Sequence, residues 1–172
     1  IGASYTIGLH TSVSSSDNSQ KIEKEKNTLE EILNRKIVIN RYHYLKFFLP
    51  FSYRNLIKVG IKYDYSMGYH NTIGFRAGTS IPFKFFDLLE NKETDLTIVP
   101  FSLMDITLMK YMNTDVESSF KIVKKLIDKI FENDGIFISI WHNEFLSEFN
   151  HYKGWRVLFE RIIEYVSMNQ LD

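Results

Sequence analysis

Short apolar runs alternate with amphipathic segments along this chain, and this alternation constrains its fold more than any other feature. Five runs are rich in Ile, Val, Leu, Phe or Tyr and bounded by polar residues, which is typical of buried strands. They lie at residues 5–9, 36–40, 61–65, 96–101 and 136–141. Strands that alternate with helices predict an α/β domain built on a mainly parallel sheet or barrel. The number of these units is smaller than a complete eightfold barrel needs.

The helical segments carry their own start signals. Asp17 with Gln20, and Thr114 with Glu117, have the spacing of helix N-cap pairs. Each precedes a stretch in which apolar residues recur at helical spacing. Because no internal repeat, low-complexity tract or linker interrupts the pattern, residues 1–172 are predicted to form a single domain.

Composition excludes several classes of protein. Lys plus Arg equals Asp plus Glu at 21 each, so no excess positive charge favours nucleic acid. The absence of cysteine rules out disulfides and thiolate metal sites. No apolar run approaches the roughly 20 residues of a transmembrane segment. From Ala3 onward the chain already has the pattern of a strand interior, so an N-terminal part of the domain is expected to be missing.

Polar residues stand where the predicted strands end, which is where α/β folds place their sites. They are His10, Arg41 with His43, Asp64, and His142. Two imidazoles at one mouth of the fold suit a divalent metal of the zinc class. Asp64 is a candidate third ligand, or it orients Arg41 or a substrate hydroxyl. The alternative is a pair of histidines that only form hydrogen bonds in a polar barrel mouth.

Three further residues are candidates for chemistry. His142 follows an apolar strand, a position that suits a general acid because imidazole titrates near neutral pH. Asp105 either holds a catalytic histidine in one tautomer or caps the segment 107–111. Arg76 lies in a loop between two glycines, where a guanidinium can reach a substrate oxygen or a carboxylate.

Five short motifs in a fixed order resemble the polysaccharide deacetylase family, of the NodB-homology, carbohydrate esterase family 4 type. The resemblance covers the chain from about His10 to the closing helix. The motifs are Ile-Gly-Leu-His-Thr-Ser at 7–12, Arg-Tyr-His-Tyr at 41–44, Tyr-Asp-Tyr-Ser at 63–66, Gly-Phe-Arg-Ala-Gly at 74–78 and Trp-His-Asn at 141–143.

The resemblance implies a distorted, incomplete (β/α) barrel that removes N- or O-acetyl groups from a polysaccharide or amino-sugar substrate. The metal of such enzymes is usually zinc, held by one aspartate and two histidines. His10 matches the first histidine of a His-Thr/Ser-x-x-His motif, and His142 matches the general acid of the last motif. The segment 41–44 matches an Arg-x-Pro-Tyr motif with His43 in place of proline. The residues that the resemblance assigns to substrate binding are Arg41, Tyr44, Asp64, Arg76 and Trp141.

Two departures from the family pattern bear on activity. Ser14 stands where the second metal histidine is expected, so His43 is the substitute ligand in this interpretation. The family's Thr-Phe-Asp-Asp motif supplies the metal aspartate and the catalytic base, and this chain contains no Asp-Asp pair. That motif normally precedes the first histidine motif, which agrees with a missing N-terminal part.

Three functions remain open from the sequence. The first is a metal-dependent hydrolase that deacetylates a polysaccharide, with Tyr42, Tyr44 and Trp141 beside the sugar. The second is a non-catalytic carbohydrate-binding relative, which the serine at position 14 favours. The third is a glycosidase with Asp64 and Asp105 as its carboxylates, which would need a separation of about 5 to 9.5 Å. The oligomeric state is left open.

Overall fold

The computed structural model of the chain describes residues 5–169, and these form two compact units. Unit 1 contains the described residues of Ile1–Met67 together with Pro82–Pro100. Unit 2 contains Gly68–Ile81 and the described residues of Phe101–Asp172. The candidate site residues are divided between the two units.

Unit 1 is built on a five-stranded sheet in the order β1-β2-β3-β5-β4. Strands β1, β2, β3 and β5 are parallel, and β4 pairs antiparallel with β5 in a hairpin that the sequence analysis did not predict. The strands are β1 (Leu9–Thr11), β2 (Ile39–Tyr42), β3 (Tyr63–Asp64), β4 (Phe83–Asp87) and β5 (Lys92–Ile98). A mixed α/β fold with a mainly parallel sheet is thereby confirmed. The strand predicted over residues 5–9 lies at Leu9–Thr11, because residues 5–8 are described but do not form a strand; residues 1–4 lie outside the described part of the chain.

Two helices, α1 (Ser19–Leu33) and α2 (Phe51–Lys58), belong to the hydrophobic core of unit 1. The cap of α1 is Asn18 rather than the predicted Asp17. Asn18 has extended backbone, and its side-chain oxygen accepts the Lys21 N–H at 3.1 Å. The buried core residues are Leu9, Ile22, Ile37, Tyr42, Phe47, Tyr53, Leu56, Ile61, Met67, Phe85, Leu96 and Ile98.

Strand register decides which side chains share a face of this sheet. Leu9 pairs with Asn40, and Asn40 pairs with Asp64, so these three point to one face. All three are buried. His10 pairs with Arg41 on the opposite face. The polar residues that end successive strands of unit 1 therefore do not share one surface.

Unit 2 contains a parallel pair of strands and two long helices. The strands are β6 (Leu103–Met104) and β7 (Ser139–Ile140), and the helices are α3 (Val116–Phe131) and α4 (Trp155–Asn169). Asp115, rather than the predicted Thr114, caps α3 by accepting the Ser118 N–H at 2.8 Å. The buried core residues are Leu103, Leu108, Val123, Ile127, Phe145, Trp155, Leu158 and Ile162.

The segment that follows β6 in unit 2 is a π-helix, Thr107–Tyr111. Such helices are rare and occur often at functional sites. Two short 3-10 helices, Asn143–Leu146 and Asn150–Tyr152, lie between β7 and α4. Within residues 5–169, none of the helices has both the length and the apolar character that crossing a membrane would require.

Candidate functional site

Asp105 and His142 come together in unit 2 at the ends of its two paired strands. Leu103 lies opposite Ser139 in the parallel β6–β7 pair, so the residues after both strands emerge at the same edge. The Asp105 carboxylate oxygen Oδ1 lies 2.8 Å from His142 Nδ1. Asp105 is fully buried, whereas 46% of the His142 side chain is exposed. A buried carboxylate thus orients a solvent-accessible imidazole.

The Asp105 carboxylate accepts two further hydrogen bonds. The backbone N–H of His142 donates to Oδ2, and the N–H of Ile106 donates to Oδ1 at 2.6 Å. The carboxylate therefore contacts a histidine, which is one of the two arrangements that the sequence left open, and it accepts the Ile106 N–H, whereas the π-helix Thr107–Tyr111 has no side-chain cap. Since a carboxylate only accepts, His142 Nδ1 carries a proton, and Nε2 is the ring atom suited to proton exchange.

His10 and His43 form a second group, in unit 1. Their ring centroids are 4.7 Å apart and the ring planes are tilted by 50°. His10 Nδ1–H donates to the carbonyl oxygen of Arg41 at 2.8 Å. A carbonyl oxygen only accepts, so the proton is on Nδ1 and the lone pair is on Nε2. A histidine that ligates a metal characteristically donates its other ring N–H to such an oxygen.

The donor set of this pair fits part of a zinc site. Two nitrogen ligands at about 2.0 to 2.1 Å from one Zn²⁺ bring their rings into the kind of close contact that His10 and His43 show. A catalytic zinc site has three protein ligands, and no group of three His, Asp or Glu side chains placed to hold a metal occurs within residues 5–169. The role of His10 and His43 as metal ligands therefore stays a prediction.

Tyr44 presents an exposed ring beside His43. The two rings are stacked, with centroids 4.4 Å apart and planes at 16°, and Tyr44 is 79% exposed. Tyr44 and the next residue, Leu45, have φ values of 54° and 51°. The left-handed region costs a residue other than glycine about 1 to 2 kcal/mol. Strain of this kind often accompanies a functional loop, which agrees with the predicted substrate contact of Tyr44.

Asp64 is enclosed in unit 1, on the sheet face opposite His10 and Arg41. Its carboxylate accepts Asn40 Nδ2 at 2.9 Å, Ser66 Oγ at 2.9 Å and the Ser66 N–H at 3.0 Å. The side chain is fully buried. Burial and these hydrogen bonds give Asp64 a structural role, and its predicted roles as a third metal ligand or a substrate contact stay predictions. Burial raises the pKa of Asp64 to about 6, although the hydrogen bonds from Asn40 and Ser66 lower it.

This shift predicts a pH dependence of stability. The pKa of Asp64 is about 6 in the folded chain and near 3.8 ordinarily, so the folded state binds the proton more tightly. Stability from this group should therefore rise as pH falls from 6 to 4, by about 3 kcal/mol in all. We expect the Asp64→Asn variant to be more stable relative to the parent at pH 7 than at pH 4, as measured by urea unfolding. A constant difference in unfolding free energy across this range would contradict the assignment.

Arg76 and Trp141 both lie in unit 2. Arg76 is exposed in a turn whose flanking glycines, Gly74 and Gly78, have φ values of 103° and 71° that side chains rarely adopt. Trp141 is half-buried against Phe159, with ring centroids 5.1 Å apart and indole Nε1 3.2 Å from Ser139 Oγ. Their predicted substrate contacts stay predictions, as does the convergence of His142 with His10 and His43 on one rim.

Glu25, on α1, is a residue that the sequence analysis missed. Its carboxylate accepts the Ser12 N–H at 3.1 Å and the Ser12 and Ser15 hydroxyls at 2.5 and 2.8 Å. Burial raises the pKa of Glu25, but these hydrogen bonds bring it below its ordinary value. Glu25 therefore fixes the loop that follows His10. Glu25 lies 13 residues after Ser12 and no motif links the two, so no sequence signal points to it.

Comparison with known proteins does not assign this chain to a family. The sequence matches no protein-family model, and a search of curated proteins finds no significant match.

Proposed function

We propose that this chain is a carbohydrate-active domain of the polysaccharide deacetylase type, a metal-dependent hydrolase that removes acetyl groups from an N- or O-acetylated polysaccharide. The fold proposed with this function is a distorted, incomplete (β/α) barrel of the NodB-homology type. The observation that carries the proposal is the buried Asp105 that orients the accessible imidazole of His142 at the ends of two parallel strands. The ordered motifs of the sequence supply the substrate class.

His142 is the general acid in this mechanism. Asp105 accepts Nδ1–H and stabilises the imidazolium, so that Nε2–H faces the leaving group. A water oxygen forms the new bond to the acetyl carbon and loses its proton to solvent. As the acetyl C–N or C–O bond breaks, Nε2 donates its proton to the departing sugar amine or hydroxyl, and acetate is released. An imidazole suits this task because the ordinary pKa of a histidine side chain lies near neutral pH.

The imidazoles of His10 and His43 are the proposed ligands of a divalent metal, zinc. A zinc ion there would polarise an acetyl carbonyl as a Lewis acid. The exposed ring of Tyr44, stacked on His43, is proposed to contact a sugar, and the Arg41 side chain shares the sheet face of His10. The proposal assigns no catalytic base within the chain, which has no Asp-Asp pair.

A non-catalytic carbohydrate-binding protein is the second candidate function. Ser14 favours it, because this residue is exposed and its hydroxyl lies 3.2 Å from Ser12 Oγ in the loop where the family has a metal histidine. The glycosidase hypothesis gains no support, since Asp64 and Asp105 are both fully buried and engaged in hydrogen bonds.

Zinc titration and acetate release together test the proposal. We expect the chain to bind Zn²⁺ in calorimetry, and His10→Ala or His43→Ala to weaken that binding by roughly tenfold or more, since each removes a ligand. The matched control is His151→Ala, because His151 is exposed in a 3-10 helix of unit 2 and should leave zinc affinity unchanged.

Acetate release from N-acetylated and O-acetylated oligosaccharides is then measured with zinc and with a chelator. Release that the chelator abolishes is the expected result. Acetate release that is undiminished in chelator, together with no zinc binding, would contradict the proposal of a metal-dependent hydrolase. Glycan binding without acetate release would establish the binding protein instead.

A further inference from the structure

Two exposed rings pair beside the Asp105 segment of unit 2. Tyr111 and His70 meet edge to face, with centroids 5.3 Å apart and planes at 83°. Tyr111 is 48% exposed and His70 also lies in the exposed class. Lys110 Nζ lies over the Tyr111 ring, 5.9 Å from its centroid, so the surface open to a ligand is the remaining exposed part of the two rings.

The loop that carries His70 and the π-helix that carries Tyr111 are joined by a hydrogen bond. Thr107, which is fully buried, donates its hydroxyl to the His70 carbonyl oxygen at 2.8 Å, and so ties the loop that carries His70 to the π-helix that carries Tyr111. The same loop begins at Gly68, where an added Cβ would lie 2.3 Å from the Phe101 ring. The backbone of the loop therefore packs against a buried ring of unit 2 and is tied to the π-helix.

Tyr111, one ring of this pair, lies close in sequence to Asp105, the residue that orients the proposed general acid His142. The π-helix begins two residues after Asp105, whose carboxylate orients His142, and Tyr111 is its last residue. Tyr111 therefore lies within six residues of the carboxylate that orients the proposed acid.

We infer that Tyr111 and His70 form a sugar-stacking subsite, which binds a second ring of an oligosaccharide whose first ring lies at His142. The aromatic face is electron-rich and attracts the C–H groups of a pyranose. Nucleobases are a poorer fit, because the chain has equal numbers of acidic and basic residues and so no excess positive charge for a phosphate backbone. The inference rests on the proposed function for its ligand class, and it adds a preference for oligosaccharides over single sugars.

Binding of N-acetylglucosamine and of its chitin tetramer, measured by calorimetry with the full chain, tests the subsite. We expect the tetramer to bind about tenfold more tightly than the single sugar. Tyr111→Ala should abolish this advantage and leave the affinity for the single sugar unchanged. Tyr111→Phe, which keeps the ring, should retain the advantage. Phe86→Leu removes an aromatic ring of similar exposure in unit 1 and serves as the control.

His70→Ala removes the other ring and should produce the same loss, which keeps the inference testable if Tyr111→Ala does not fold. Equal affinity for the single sugar and the tetramer in the parent chain, equal weakening of both by Tyr111→Ala, or no binding of either would overturn it. Length-dependent binding without acetate release would support the subsite and reject the deacetylase. Acetate release without a length preference would reject the subsite alone.

Discussion

The Asp105→Asn variant should release acetate from an N-acetylated oligosaccharide about 10²- to 10⁴-fold more slowly than the parent chain, which is the usual contribution of a general acid. An amide has one accepting oxygen, whereas Asp105 uses both oxygens to accept N–H groups. If the amide NH₂ occupies the position of Oδ2, it faces the backbone N–H of His142, and two donors then oppose each other. If it takes the Oδ1 place, it meets the Ile106 N–H and forces the proton of the imidazole from Nδ1 to Nε2.

Two measurements check this expectation. The first is the rate of acetate release, for which the double variant Asp105→Asn, His142→Gln should be no slower than His142→Gln alone, because the two residues act as one unit. The second is the ¹⁵N chemical shift of the His142 ring nitrogens, which reports the tautomer without any catalysis. Asp134→Asn changes an exposed aspartate of unit 2 and is the matched control. An unchanged rate with an unchanged tautomer would contradict the role of Asp105.

The Ser66→Ala variant should lose about 2 to 4 kcal/mol of unfolding free energy, because it breaks a buried polar network in unit 1. Ser66 Oγ accepts the Tyr42 N–H at 2.8 Å and donates to Asp64 at 2.9 Å, and the side chain is fully buried. Alanine removes the acceptor for the Tyr42 N–H and one donor to a buried carboxylate. An unsatisfied buried group costs about 1 to 3 kcal/mol beyond the lost hydrogen bond.

Urea unfolding monitored by circular dichroism at pH 7 measures this loss. Ser167→Ala is a suitable control, since Ser167 is exposed on α4 and its hydroxyl only donates to the Ile163 carbonyl. The control should stay within about 0.5 kcal/mol of the parent. A loss from Ser66→Ala no larger than that of the control would show that the network contributes little.

Secondary structure was the feature of the fold that the sequence predicted best. Apolar residues at helical spacing predict α3 and its buried face. Of the five predicted to be buried, Val123, Ile127 and Ile130 are buried, and Val116 and Phe120 are half-buried. The caps were misplaced by a single residue, with Asn18 instead of Asp17 and Asp115 instead of Thr114. Neighbouring polar residues can all cap a helix, and only the backbone conformation at each one selects among them.

The pairing of functional residues was only partly predictable. His142 follows an apolar run that predicts a strand, whereas the strand predicted over 96–101 ends four residues before Asp105. The parallel pairing of β6 with β7 is what brings the two residues within hydrogen-bond distance. His10 and His43 are 33 positions apart with no spacing rule between them. Their ring contact results from the β1–β2 pairing and from the left-handed turn at Tyr44.

The sequence by itself determined the α/β class, the helices of unit 2 and the residue types available for acid catalysis and metal binding, because apolar periodicity and side-chain chemistry are local properties. Only the tertiary structure decided which of those residues meet. Asp64 ends a strand just as His10 does, yet the register turns it to the buried face of the sheet. Side chains alternate between faces at every residue, so the partner strand must be known before the face of any one side chain is known.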